Sequence, residues 1–240
     1  MRLILSFLLY TIILSACGQA KKNMEITEIK LDDLEPLELN IPDYEPMNCP
    51  YSEWQANREM QLLEANGYAD CKNRSEWLNA ASDKVFLLRI AAYYLLSQEP
   101  KSEEMEYYRK GLTDLDNTVQ AYAAYALVRL GDSTQLAKIQ RIAAIDDGVS
   151  LEVYPAAGVL GELGKAEAFE VLRKGLKSTN DVQQLLAIHQ SYHFFKLWDE
   201  LDLTKFYHKA LSHPSERVRL IARLQLEELD TEAAKSLLDH

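Results

Sequence analysis

Stacked pairs of α-helices, the arrangement of an α-solenoid, are predicted for most of this 240-residue chain, and three observations predict them. Segments of one pattern recur: VQAYAAYALVRLG from Val119 to Gly131 and EVYPAAGVLGELG from Glu152 to Gly164 align 33 residues apart. Val218 to Asp230 repeats the pattern, Val182 to Ala187 begins it and Leu87 to Ser97 carries a looser copy. Leu87, Val119, Glu152, Val182 and Val218 thus mark steps of 32, 33, 30 and 36 residues. Within a copy the apolar residues fall at i, i+4, i+8 and i+11, as at Val119, Ala123, Leu127 and Leu130, which makes one stripe on a helix. Finally, β-branched alternation with hairpin dipeptides appears nowhere over a useful length. A single helix pair of this size cannot bury its own apolar face and must stack on the next.

The composition fits a globular chain with a sizeable core, at 48% hydrophobic and 26% charged residues. With 37 acids against 26 bases the net charge is −11, which argues against a nucleic-acid binder, since that would need a basic face, and disfavours anionic membranes.

The first element is a leader. After Met1 and Arg2 comes an uncharged run from Leu3 to Ala16, the pattern of a signal peptide. As a helix it would reach only about 21 Å against a hydrocarbon core of about 30 Å, too short for a permanent span. Its end, Leu14-Ser15-Ala16-Cys17, resembles the bacterial lipoprotein signal, which implies removal of residues 1–16 and acylation of Cys17 as the new N-terminus. Gly18 after the cysteine, by analogy with enteric lipoproteins, implies the outer membrane.

Residues 17–50 follow as an acidic tether. From Asn23 to Pro50 there are eight acids, one base and four prolines, so self-repulsion and blocked pairing favour an extended chain. Leu31, Leu34, Leu37, Leu39 and Ile41 are spaced regularly enough to form instead a strap along the folded domain. Cys49 and Cys71 are the two cysteines left after acylation, an even pair in an oxidising compartment and hence a disulfide candidate. Closing their loop of about 23 residues would contribute about 3 kcal/mol. A zinc site is the alternative, without CxxC spacing or a nearby His to support it.

The helical-repeat domain occupies residues 51–240, with its clearest copies over 85–230. Before each patterned helix lies another amphipathic stretch: Glu103 to Leu112, Gln135 to Ala144, Ala166 to Leu176 and Leu203 to Leu211. Asn117 with Gln120, Asp132 with Gln135 and Asp181 with Gln184 have capping-box spacing, while Gly131 and Gly164 stand where helices should stop. The V-x-x-x-A-A-x-A-L-x-x-L-G pattern resembles bacterial HEAT repeats, including the HEAT-like repeats of phycobilin lyases, which implies a superhelix of antiparallel pairs. Tetratricopeptide repeats share the period, but their Trp-Leu-Gly-Tyr spacing does not recur. Similar repeats extend some secreted sulfatases, whose Cys/Ser-x-Pro-x-Arg motif is missing here. Two departures stand out: Pro155 forces its helix to begin late or kink, and HQSYHFFKLW from His189 to Trp198 replaces small residues with bulk.

Serine elbows, Walker loops and GxGxxG are missing, and no cofactor is implied. His189 and His193 at i and i+4 would share one side of a helix, but the zinc-protease form needs Glu where Gln190 stands, and no third ligand is identifiable. HEAT-like stacks line their concave side with the second helices. Transferring that phase puts Tyr93 and Tyr125 at equivalent outward positions, with Gly158 and Ile188 next in line. Arg129, Tyr192, Arg219 and Arg223 lie nearby, and Tyr and Arg are favoured at binding hot spots. The alternative is that both tyrosines fill gaps between helices. The resulting expectation is a lipid-anchored, non-catalytic scaffold that binds an envelope protein or polysaccharide; the alternative is an envelope hydrolase or metal-dependent enzyme using His189 and His193.

Overall fold

The computed structural model describes residues 51–68, 73–201 and 203–239. The leader, Cys17, the acidic tether, Cys49 and Cys71 all lie outside the described residues, and with them the acylation and disulfide expectations. Regular structure is entirely helical among the described residues. The helices are α1 (Tyr51–Ala65), α2 (Arg74–Ala80), α3 (Phe86–Gln98), α4 (Met105–Gly111), α5 (Asn117–Arg129), α6 (Leu136–Ala143), α7 (Val153–Glu162), α8 (Phe169–Leu176), α9 (Asp181–Ser191), α10 (Trp198–Leu201), α11 (Leu203–Leu211), α12 (Glu216–Leu229) and α13 (Glu232–Leu238).

Length and amphipathicity divide them into two kinds. The longer α3, α5, α7, α9 and α12 pack in chain order, each against the next, and the shorter α2, α4, α6, α8 and α11 each pack on the long helix that follows. α6 also rests on α5, and α8 on α7, so these short helices lie between successive long ones. One apolar stripe suffices for such a position: α6 buries Ile139, Ile142 and Ala143, and α8 buries Phe169, Leu172, Gly175 and Leu176. A long helix has neighbours on most sides. Accordingly α5 buries Thr118, Val119 and everything from Ala121 to Leu127.

The punctuation follows backbone chemistry. Asp116 caps α5 by accepting from the amides of Thr118 and Val119, and Asn180 caps α9 by accepting from Val182 and Gln183. Both caps stand one residue before the Asn117 and Asp181 positions expected from sequence. Gly131 and Gly164 end α5 and α7 in the left-handed region, with φ of 101° and 71°. Pro155 is harmless because α7 begins late, at Val153, which leaves Pro155 in the first turn, where amides have no intrahelical partner. After α9 the bulky segment departs from the α-helix as a 3₁₀ stretch over Tyr192–Leu197. Its Phe194 is fully buried, with the ring against Gly161, where a Cβ would stand 2.6 Å from it.

One side-chain device recurs along the row. Arg89, Gln120, Gln184 and Arg219 each donate to a backbone carbonyl six residues earlier, those of Asp83, Asp114, Ser178 and His213. Each bond closes the turn that leads into a long helix. Gln120 and Gln184 therefore do not reach back to an N-cap amide as a capping box requires. Gln135 instead donates to the Asp132 carboxylate at 3.2 Å ahead of α6, a bond between side chains and not the return to a backbone amide.

Neighbouring units are stitched at both edges. At the N-terminal ends of the long helices, Arg89 grips Asp114 through two bonds of 2.7 and 2.8 Å, Asn117 donates to Glu152 at 3.0 Å, and Gln183 donates to the carbonyl of Gly148 at 3.0 Å. At the opposite edge Arg129 donates to the carbonyls of Ser97 and Gln98, His193 meets Glu162, and Tyr192 donates to Glu228. Deeper inside, Tyr207 of α11 donates to Gln225 of α12 at 2.7 Å and lies 2.8 Å from the hydroxyl of Ser191, all three fully buried. Every polar atom of that cluster is matched, which is what makes a buried polar cluster tolerable.

The two ends of the row meet through α1, which packs on α3 and also touches α12. The turn after α1 is tied to the turn before α3 by the hydroxyl of Tyr68, which donates to Asp83 at 2.6 Å. Arg58 and Glu59 of α1 lie close enough to Tyr122 of α5, and Arg58 to His189 of α9, to act on their ionisation.

Candidate functional site

The six residues expected to face a partner do not form one surface. Tyr93 is only 1% exposed, with its hydroxyl donating to the carbonyl of Tyr107 at 2.8 Å, and burial with the nearby Asp114 charge pushes that hydroxyl up to about 12. Tyr125 is 7% exposed, with Arg129 over its ring at 5.5 Å. The expectation of outward-facing tyrosines is therefore corrected: both fill space between helices, because α3 and α5 are buried on most sides. Arg129 spends its guanidinium on the last carbonyls of α3, Tyr192 is bound to Glu228, and Arg219 holds the carbonyls of His213 and Pro214 at 2.6 and 2.8 Å. Arg223 is exposed on α12 and shares a cleft with Arg219, Leu220 and His208. With Tyr93 and Tyr125 both buried, they form no open aromatic groove.

Nor do the two histidines converge. α9 ends at Ser191, so His193 stands in the 3₁₀ segment, and the i, i+4 relation on one α-helix is lost. His193 Nδ1 lies 2.7 Å from Glu162 of α7. Burial raises the Glu162 carboxyl, but the hydrogen bond from His193 and the charges of His193, Lys196 and Arg129 outweigh it and hold the group below the usual range. His189 is pushed down to about 3, first by burial and then by the Arg58 guanidinium. Beside that cation a metal ion would be repelled. Among the described residues no group of three or more His, Cys, Asp or Glu is placed to hold a metal.

A different surface stands out at the turns between short and long helices. Leu115, between α4 and α5, is 99% exposed, and Val149, between α6 and α7, is 59% exposed. Both tips sit on locked loops. Asp114 accepts from the amide of Asp116 at 2.9 Å and from Arg89, while Asp116 caps α5, so Leu115 is fixed between two bound aspartates. Asp147 accepts from the amides of Val149 and Ser150 at 3.0 and 2.8 Å and from the Ser150 hydroxyl at 2.7 Å. The Asn117–Glu152 bond ties the two loops' helices together. Fixed apolar tips bind with little loss of conformational freedom. Sequence reasoning passed over them, although the signal was there: a single aliphatic residue enclosed by turn formers, Asp114-Leu115-Asp116 and Asp147-Gly148-Val149-Ser150.

No family model matches the chain, and no curated protein matches it either. Among the described residues no helix is long and apolar enough to cross a membrane.

Proposed function

We propose that the chain is an α-solenoid of HEAT-like helix pairs, anchored to the outer membrane through acylated Cys17, and that it recruits an envelope protein without catalysing a reaction. The pair of rigid apolar tips, Leu115 and Val149, carries the assignment of the binding surface. The recurrent turn-closing bonds from Arg89, Gln120, Gln184 and Arg219 support the repeat reading. Aliphatic tips on neighbouring loops suit protein side chains better than a polysaccharide, which usually wants flat aromatic faces.

The test is Leu115→Asp with Val149→Asp in the full chain. Such exposed positions should change stability by no more than about 0.5 kcal/mol, while a partner captured by the parent from solubilised envelopes is lost. Equal capture by both would remove the loop edge as the site. Anchoring is checked separately: Cys17→Ser should shift the protein out of the detergent phase, and equal partitioning would defeat the lipoprotein assignment. If Cys49 and Cys71 are bridged, as we also propose, denatured non-reduced protein should show no free thiol.

A further inference from the structure

The short helices α8 and α11 bring cations from two elements to one cleft of about 500 Å³, lined by Arg173, Leu176, Lys177, Lys205, Phe206, Lys209 and His213. No acidic residue lines it among the described residues, in a chain whose acids outnumber its bases by 37 to 26. Cations in a helix's last turn complement its dipole, which accounts for Arg173 and Lys209 one at a time. Their convergence with Lys177 on one cleft concentrates positive charge at one place on an acidic chain, which suits an anion.

We infer that this cleft binds a phosphate group. The parts suit the task. Arg173 is pre-positioned, with one nitrogen donating to the carbonyl of Leu201 at 2.7 Å and its plane over Phe169 at 5.1 Å, while Glu170 at 3.5 Å draws on part of its charge. Lys177, just past the end of α8, and Lys209, in the last turn of α11, are exposed and both line the cleft. His213 accepts from the amide of Ser215 at Nδ1, which leaves Nε2 as the nitrogen that carries hydrogen and can donate. Leu176 and Phe206, which also line the cleft, are almost fully buried beneath these polar groups. Several point charges with separate donors match a tetrahedral group that offers more acceptor oxygens than a carboxylate, which is phosphate, either the singly charged diester of a lipid headgroup or a more highly charged free phosphate. The source is either a phospholipid headgroup or a free phosphorylated molecule. The overall acidity does not oppose this, because screening confines the effective field to about 8 Å at physiological salt.

Calorimetric titration of the full chain in neutral detergent tests the site, with three probes: pyrophosphate, dihexanoyl phosphatidylglycerol and, as zwitterionic control, dihexanoyl phosphatidylcholine. Lys177→Glu with Lys209→Glu removes two of the cations; Arg109→Glu with Lys110→Glu makes the same charge change at the end of α4. The parent should bind at least one anionic probe and not the control. The first variant should bind it about tenfold or more weakly, and the second within about twofold of the parent. Binding of phosphatidylglycerol alone assigns the site to a headgroup, and binding of pyrophosphate to a free phosphate. Failure of both anionic probes, or equal weakening by the two variants, overturns the site. Neither result bears on the Leu115 and Val149 edge.

Discussion

A Cβ on Gly111 would stand 2.5 Å from Cε1 of the Tyr93 ring and 2.7 Å from the Cβ of Ala123. Gly111 therefore lets α4 seat between α3 and α5, with the tyrosine of one long helix on one side and the alanine of the next on the other. Sixty-four residues on, Gly175 of α8 is enclosed in the same way by the ring of Tyr154 and by Ala187. Real Cβ atoms do not approach so closely, and neither neighbour is the loose end of a flexible chain. Gly111→Ala is expected to cost about 1–3 kcal/mol by overpacking, read as a lower midpoint in urea unfolding. A midpoint equal to the parent's would show that α4 can shift outward freely.

Truncating the other half of this contact should cost more. Tyr93→Ala removes a fully buried ring and its hydroxyl bond to Tyr107, so a loss of about 3–5 kcal/mol is expected. Tyr125→Ala should also cost stability, since Tyr125 carries Arg129 over its ring. A change at Tyr93 within about 0.5 kcal/mol, the range typical of surface positions, would contradict its placement.

Helix identity was legible in the sequence, and the orientation of the long helices was not. The stripe through Val119, Ala123 and Leu127 marks a helix correctly, and Gly131 and Gly164 end theirs with positive φ. A stripe identifies a buried face only when the opposite face is wet. On α3, Leu87, Leu88 and every residue from Ala91 to Ser97 are buried, so no phase transferred from a family pattern can turn Tyr93 outward. The proximity of Arg58 to His189 was also out of reach, because it joins segments some 130 residues apart without a sequence pattern. One signal was available and unused. RKGL occurs at 109–112 and again at 173–176, two repeat steps apart, and marks the two glycines that receive tyrosine rings.

Arg74 and Glu104 form a largely buried ion pair between units. The guanidinium meets the carboxylate at 2.5 and 2.6 Å, Tyr108 adds a bond of 2.7 Å, and Arg74 also donates to the carbonyl of Glu99 at 2.8 Å. Burial raises the Glu104 carboxyl, but the bonds from Arg74 and Tyr108 outweigh it and leave the group below the usual range. Arg74→Ala strands a buried carboxylate and should cost about 3–5 kcal/mol. Replacing Arg74 and Glu104 together by Met and Leu should cost clearly less. Equal losses for the single and double variants would mean that packing, rather than the stranded charge, sets the cost.

His189 supplies a pH dependence of defined sign. Its native pKa is lowered from 6.5 to about 3 by burial and by Arg58. In the folded protein the imidazole is therefore neutral across that interval, whereas in the unfolded chain it takes up a proton as the pH falls through 6.5. The unfolded state then binds more protons than the native one, and native stability declines as pH drops. The depressed carboxyls of Glu104 and Glu162 act lower down, since their contribution stays intact above the ordinary value of 4.5 and fades only below it. Between pH 7 and pH 5 the two kinds of group therefore separate. The midpoint of thermal unfolding should fall over that range in the parent, and it should fall less in His189→Gln, which has no proton to gain. Because all other titrating groups are shared, the difference between the two slopes isolates His189. Parallel slopes would mean that the native imidazole can protonate where it stands, and α1 would then have to move away from α9 in mild acid.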